Sequence, residues 1–393
     1  MSADDDRPAP RTATRLVRAG RDKDLTGPFV NPPVVHASTV LFDTVDDMEA
    51  PRQRYVYGRR GTPTTEALTT AVAELEGAAG AVLCPSGLSA AATALLSCLS
   101  AGERLLMIDC VYGPVRHFAQ TMLKRLGIET AFFDPLVGDG VATAMTERTR
   151  AVYLEAPGSL TFEMADVAVI AAAAKARGAT VLCDNTWATP ARYRPLDNGV
   201  DLAIVAGTKY IGGHSDVMLG TIAARADHWP ALKQAHGSLG LHVGPDDVYL
   251  TLRGLRTLDV RLARHAGSAL AVATWLTDRP EVARVLYPPL PGDPGHALWQ
   301  RDMTGAGGLM GVVLAGWSEA QAKRFVDALQ LFGIGASWGG FESLAILVRP
   351  ERWRSATTWR AEGPVIRLFV GLEDPEDLIA DLAAAFARAA QPT

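Results

Sequence analysis

From Thr62 onward the chain alternates short, almost continuous apolar runs with helix-length amphipathic stretches. The apolar runs cover Ala81–Cys84, Arg104–Ile108, Thr130–Phe133, Ala151–Leu154, Thr180–Cys183 and Leu202–Val205. Runs of this length that do not alternate with polar residues predict strands buried on both faces, and their spacing by helices predicts βαβ units in a mostly parallel sheet. Thr62 followed by Pro63 predicts a helix start, and the Ala-rich stretch from Asp166 predicts a helix ended by Gly178. Asp246–Thr274 contains no Pro and predicts one long helix bridging two domains. Beyond it, Val282–Tyr287, Leu309–Leu314, Leu344–Val348 and Ile366–Val370 read as strands, with amphipathic helices over Glu319–Leu329 and Pro375–Ala389. Residues 1–60 are polar and Pro-rich instead; Gly27–Pro33 cannot form a regular helix. The pattern therefore predicts an extended arm over residues 1–60, disordered in its first dozen residues. A large α/β domain follows over residues 61–260, and a smaller α+β domain over residues 261–393.

Composition narrows the class. A chain of 393 residues exceeds what one core usually covers, and 48% hydrophobic with 21% charged residues is ordinary for a globular enzyme. A net charge of −5 gives no reason to expect nucleic acid or an anionic membrane as partner. Cys84, Cys98, Cys110 and Cys183 lie far apart in apolar stretches, which predicts buried reduced thiols and neither a metal site nor a disulfide framework. No apolar run reaches the length of a membrane span, and the first fifteen residues lack the apolar centre of a secretory signal. A cytoplasmic enzyme without a metal is the expectation.

In open parallel sheets, ligands bind outside the carboxyl ends of the strands. Pro85-Ser86-Gly87-Leu88 follows the first predicted strand, and Asp109 to Gly113, with Tyr112, the second. Glu155-Ala156-Pro157, Asp184-Asn185-Thr186-Trp187 and Ala206-Gly207-Thr208-Lys209 follow three others. Taken singly, a lysine after a strand is usually a solvated surface residue and an aspartate there a turn residue. Together they match the needs of pyridoxal 5′-phosphate (PLP). Lys209 offers an amine for its aldehyde, and Asp184 a carboxylate for its ring nitrogen. Tyr112 offers a face to stack on the ring, and the amides of Gly87 and Leu88 with the Thr208 hydroxyl offer a phosphate site at a helix start.

These residues stand in motifs that resemble the Cys/Met-metabolism, or transsulfuration, family of PLP-dependent enzymes of fold type I. The most specific are Tyr57-Gly58-Arg59-Arg60-Gly61-Thr62-Pro63-Thr64, Asp184-Asn185-Thr186-Trp187 and the segment from Thr208 to Asp216. Ser337-Trp338-Gly339-Gly340-Phe341-Glu342-Ser343-Leu344 and the segment from Ile366 to Asp374 complete the set, and the resemblance spans Thr14 to Ala389. It implies an aspartate aminotransferase-like α/β fold with a mostly parallel seven-stranded sheet, a smaller C-terminal α+β domain and an extended N-terminal arm. It also implies that Lys209 carries the cofactor and moves protons, that Asp184 pairs with the pyridinium, and that Tyr112 stacks. By the same resemblance Gly87, Leu88 and Thr208 hold the phosphate. Tyr57 and Arg59 would reach the phosphate of a neighbouring subunit, with Tyr57 also bordering the substrate. Arg367 would clamp the substrate carboxylate beside Ser337 and Trp338.

Finer differences resemble the β-eliminating branch: Tyr57-Gly58-Arg59, Trp187, Trp338, and Ala206 where relatives often carry Ser. The implied reaction is α,β-elimination of L-cystathionine to L-homocysteine, pyruvate and ammonia. Another PLP carbon–sulfur lyase or a γ-synthase is the nearer alternative. A PLP-binding regulator without catalysis, the remoter one, would need no carboxylate clamp. Gly237 stands where bacterial β-lyases tend to carry a tyrosine near the distal end of the substrate, and its neighbour His236 reads as a surface helix residue. The substrate is thus expected to be an amino-acid thioether, and the assembly a homotetramer of two catalytic dimers.

Overall fold

A computed structural model describes residues 10–50, 52–360 and 363–390. Two sheets organise the chain. The larger contains β1 (Gly80–Cys84), β2 (Arg104–Ile108), β3 (Glu129–Phe133), β4 (Thr149–Glu155), β5 (Thr180–Asp184), β6 (Leu202–Val205) and β7 (Gly220–Ala224), in the order β1-β7-β6-β5-β4-β2-β3. All pairings are parallel except those of β7, which is antiparallel to both neighbours. From β2 the chain steps outward to β3, then returns to β4 and proceeds the other way through β5 and β6. This reversal opens a crevice at the carboxyl ends of the strands. β7 escaped the apolar pattern because its residues are small, and packing demands that: a Cβ on Gly220 would lie 2.3 Å from the Ser86 carbonyl oxygen.

Continuous burial of the central strands matches their unbroken apolar sequences; Leu105 to Ile108, Ala151 to Leu154 and Val181 to Cys183 are essentially without exposure. Helix starts obey their local chemistry. Thr62 accepts from the Thr65 amide with Pro63 at the first helical position, and the helix Pro63–Glu76 ends at Gly77 in the left-handed region. Cys84, Cys110 and Cys183 are buried and unpaired, and Cys98 is half-buried.

The smaller sheet runs β10 (Leu344–Val348), β11 (Val365–Phe369), β9 (Leu309–Leu314) and β8 (Val282–Leu286), antiparallel throughout. Helices Glu319–Ala328 and Pro375–Ala389 pack together on it, where Phe325 stacks on Phe386 at 4.4 Å between centroids.

Two expectations differ from the structure. The long helix over Asp246–Thr274 is two helices, Pro245–Leu255 and Leu258–Thr277. Tertiary contacts break it. Gly254 lies so close to the Ile211 and Gly212 carbonyls that a Cβ would approach them to 2.3 and 2.2 Å, and Arg256 turns away to bond the Leu16 and Ala19 carbonyls. In the arm, residues 1–9 of the stretch expected to be disordered lie outside the described residues, and Thr12–Arg18 is a helix with Leu16 fully buried. No helix among the described residues is long and apolar enough to cross a membrane, and no group of metal-binding side chains occurs among them.

Candidate active site

Strand register assembles the floor of the crevice. Glu155 at the end of β4 sits opposite Asp184 at the end of β5, and Tyr153 opposite Leu182, so Tyr153, Glu155, Leu182 and Asp184 share one face. Thr186 fixes Asp184: its amide and hydroxyl donate to Oδ1 at 2.9 and 2.5 Å, while its hydroxyl accepts from the Ala206 amide at 2.9 Å. Both bonds use one oxygen, which leaves Oδ2 available to a cation. Burial raises the Asp184 pKa, and the Thr186 bonds and the Lys209 charge oppose the rise. Glu155 is pushed well up by burial and by the Asp184 charge, against a bond of 2.7 Å from the Tyr112 amide.

Lys209 extends from the turn after β6. Its Nζ donates to Ser337 Oγ at 2.7 Å and lies 5.3 Å from the centre of the Trp338 ring. Burial and the Arg367 charge lower its pKa to about 8, with Asp184 opposing. The loop bearing Ser337 and Trp338 can approach this closely because Gly339, at φ +89°, has no Cβ; one would sit 2.8 Å from the Lys209 carbonyl carbon. Beneath it Arg261, 5% exposed, donates to the Tyr210, Ile211 and Gly254 carbonyls and anchors the lysine turn.

Arg367 projects from β11. It is 8% exposed and bonds only main-chain oxygens, those of Gly335, Ala336 and Ser337 at 3.3, 2.8 and 3.0 Å. Burial pulls its pKa down to about 10, and Tyr112 pushes back. A buried guanidinium without a carboxylate among the described residues suits a carboxylate ligand. The Tyr112 pKa is raised, by burial first, then by Glu155, against Arg367. Lys209, Asp184, Tyr112, Arg367, Ser337 and Trp338 thus converge.

Gly87 opens the helix Gly87–Cys98, which Ser86 caps by accepting the Ser89 amide at 3.1 Å. The amides of Gly87 and Leu88 point out of the helix start, as first-turn amides must. A Cβ on Gly87 would lie 2.6 Å from that of Ala206, so glycine is required for this helix to reach the lysine turn. The Thr208 hydroxyl exchanges bonds with the Leu219 main chain, accepting at 3.0 Å and donating at 3.1 Å.

Among the hydrogen bonds of the described residues, none joins Tyr57 or Arg59 to this cluster. Arg59 donates to the Gly237 carbonyl at 3.1 Å, and Tyr57 is 44% exposed. Gly58 between them passes against the Ala37 carbonyl, 1.8 Å from where a Cβ would be. His236 differs from its expectation: it is half-buried and tied by Nε2 to the Leu83 carbonyl at 2.7 Å, and burial lowers its pKa.

Sequence reasoning gave no role to Thr186, Arg261 or Glu155. Thr186 and Glu155 stood among the residues following strands, but only register shows Glu155 beside Asp184. Arg261 carries no local signal.

The cluster fits PLP on its own geometry: a half-buried amine of depressed pKa, a carboxylate with one oxygen spoken for, a guanidinium lacking an acid among the described residues, and a glycine-lined helix start. The comparisons agree. Residues 13–387 match the family of Cys/Met metabolism PLP-dependent enzymes. The chain is 52% identical over 380 residues to a putative cystathionine beta-lyase of Rhizobium johnstonii, covering 96% of each chain. It is 43% identical to cystathionine beta-lyase of Escherichia coli, covering 95% of this chain and 98% of that one. Among solved structures it resembles a cystathionine gamma synthase from Xanthomonas oryzae in complex with aminoacrylate and cysteine, with a TM-score of 0.89, 36% identity, and coverage of 98% and 99%. With a type I fold, a crevice at the strand ends and these relatives, the chain belongs to the Cys/Met metabolism family of PLP-dependent enzymes.

Proposed function

We propose that the chain is a cystathionine β-lyase that converts L-cystathionine and water to L-homocysteine, pyruvate and ammonia. The observation that carries this reading is the convergence of Lys209, Asp184 and Arg367 in a chain so close to β-lyases. Bound PLP supplies an aldehyde for the lysine and a ring that withdraws the electron pair left at Cα. Arg367 binds the substrate carboxylate through its fork and, with Ser337 and Trp338, orients the Cα–H bond. Lys209 Nζ, steered by Ser337 Oγ, takes the α-proton as a neutral amine, which its lowered pKa favours. Lys209 or Tyr112 returns a proton to the leaving sulfur. Asp184 Oδ2 would pair with the ring nitrogen, Tyr112 would stack on the ring, and the amides of Gly87 and Leu88 with the Thr208 hydroxyl would hold the phosphate.

Tyr57 and Arg59 serve the site of a second copy of the chain. The Arg59 bond to the Gly237 carbonyl, the exposure of Tyr57 and the exposed apolar side chains of the arm, Leu41 at 85% and Val45 at 71%, support that assignment. A homotetramer of two such dimers, a cytoplasmic location and division into an arm, a PLP-binding domain and a C-terminal domain at residues 60 and 260 belong to the same proposal.

Product analysis on cystathionine, cystine and methionine with added PLP tests the function. Pyruvate with homocysteine from cystathionine is expected. Release of 2-oxobutyrate would instead identify a γ-cleaving enzyme, and a visible PLP band without any keto acid a binding protein.

A further inference from the structure

The segment Trp353–Thr357 lies between β10 and β11, yet the amides of Ser355, Ala356 and Thr357 are spent on the loop after β2. Asp109, 1% exposed, accepts from the amides of Ser355, Ala356 and Thr357 at 3.0, 3.0 and 2.8 Å and from the Thr357 hydroxyl at 2.7 Å. Arg116 completes the node: Nη1 donates to Asp109 Oδ1 at 3.0 Å, Nη2 bonds the Ser355 hydroxyl, and the guanidinium lies 3.6 Å from the centre of the Phe132 ring. Alongside, Arg354 pairs with Glu163 at 2.6 Å, and the Trp353 ring covers Gly113, 3.3 Å from where its Cβ would be. Burial would raise the Asp109 carboxyl, but the bonds from Thr357, Ser355 and Arg116 outweigh it and hold the carboxyl below its ordinary pKa.

Tyr112 sits between the two anchored points, Asp109 and Gly113, with its own amide on Glu155. The chain that leaves the node enters β11, which carries Arg367. A loop that presents one aromatic ring is therefore tied to the sheet that presents the guanidinium opposite it.

We propose that Asp109 is a positioning residue for Tyr112, holding the Tyr112 loop against the Ser355–Thr357 segment so that Tyr112 and Arg367 keep a fixed mutual placement. This rests on the reading of Tyr112 as the residue facing the cofactor ring. Neutralising Asp109 would leave Arg116 buried without its partner, so Asp109→Asn risks the fold. The pair Ser355→Ala with Thr357→Val removes the segment's side-chain hydroxyls and leaves the ion pair intact.

In the PLP-loaded enzyme this double variant should weaken the visible circular dichroism of the bound cofactor and speed amide exchange across residues 110–113. It should also lower kcat on cystathionine by about tenfold, as a small displacement of an aligned group does, with less effect on KM. Combined with Tyr112→Ala, it should add no further loss of kcat. Unchanged dichroism, exchange and kcat in a folded double variant would overturn the proposal. Losses fully additive with a large Tyr112→Ala effect would overturn the positioning role alone. A Tyr112→Ala variant with wild-type kcat and dichroism would overturn the reading of Tyr112 itself, and the positioning role with it.

Discussion

Burial and the nearby Arg367 guanidinium bring the Lys209 ammonium down to about 8, against the pull of Asp184. Only the neutral amine attacks an aldehyde, so PLP uptake by cofactor-free protein should quicken as pH rises and level off above about 8. Arg367→Gln removes a neighbouring positive charge and should move that midpoint up; Asp184→Asn removes a negative one and should move it down. Stopped-flow absorbance of PLP across pH reads both signs, and shifts in the same direction would contradict the arrangement. Thr186 is the second residue with a measurable consequence. Its hydroxyl joins Asp184 Oδ1 to the Ala206 amide, so Thr186→Val strands that amide and leaves Asp184 Oδ1 with the Thr186 amide alone. PLP affinity, measured by dialysis and fluorescence, should fall about tenfold or more, since one such bond to a charged group is worth roughly 1.5–3 kcal/mol. Lys209 and Asp184 stood out in the sequence as candidates because each follows a predicted strand, and Arg367 because its segment resembles that of the family. Thr186 as their organiser was not, because a hydroxyl after a strand has no signature until its two partners are known.

The helix Pro63–Glu76 states its own start. Thr62→Ala should cost about 1 kcal/mol in denaturant unfolding, the usual worth of such a cap. Its last residue behaves differently. Glu76 is 1% exposed with neither oxygen bonded among the described residues, and burial raises its pKa to about 8 despite the Arg194 charge. A carboxyl whose pKa is raised on folding stabilises fully below its unfolded value of 4.5, and that contribution is lost as pH climbs towards about 8. Relative to Glu76→Gln, the wild type should therefore lose melting temperature between about pH 5 and about pH 8 and change little above; a difference independent of pH would contradict a buried neutral Glu76. The start of the helix was predictable from Thr62 and Pro63. The break after Leu255 was not, since Gly254 and Arg256 answer to carbonyls of distant segments.

At the scale of the molecule, the arm carries Phe29, Leu41, Val45 and Met48, each more than half exposed. Apolar surface of this kind on a polar, Pro-rich segment fits burial against a second copy. Leu41→Asp with Val45→Asp should lower the mass in sedimentation equilibrium and weaken PLP retention together, because Tyr57 and Arg59 ride on the same arm. A smaller particle with undiminished PLP affinity would separate the arm from the neighbouring site.

The alternation of unbroken apolar runs with helices was enough to determine a parallel sheet, because strands buried on both faces leave no room for polar alternation. The turn residues at the ends of those runs were enough to determine PLP chemistry. Tertiary structure alone decided the strand order, the antiparallel β7 hidden in a run of small residues, and the register that sets Glu155 beside Asp184. It alone decided the contacts of Arg261, Arg116 and Asp109 with distant carbonyls, amides and side chains. Local patterns encode what a residue needs, whereas the partner that meets the need often lies far along the chain and enters only when the chain closes on itself.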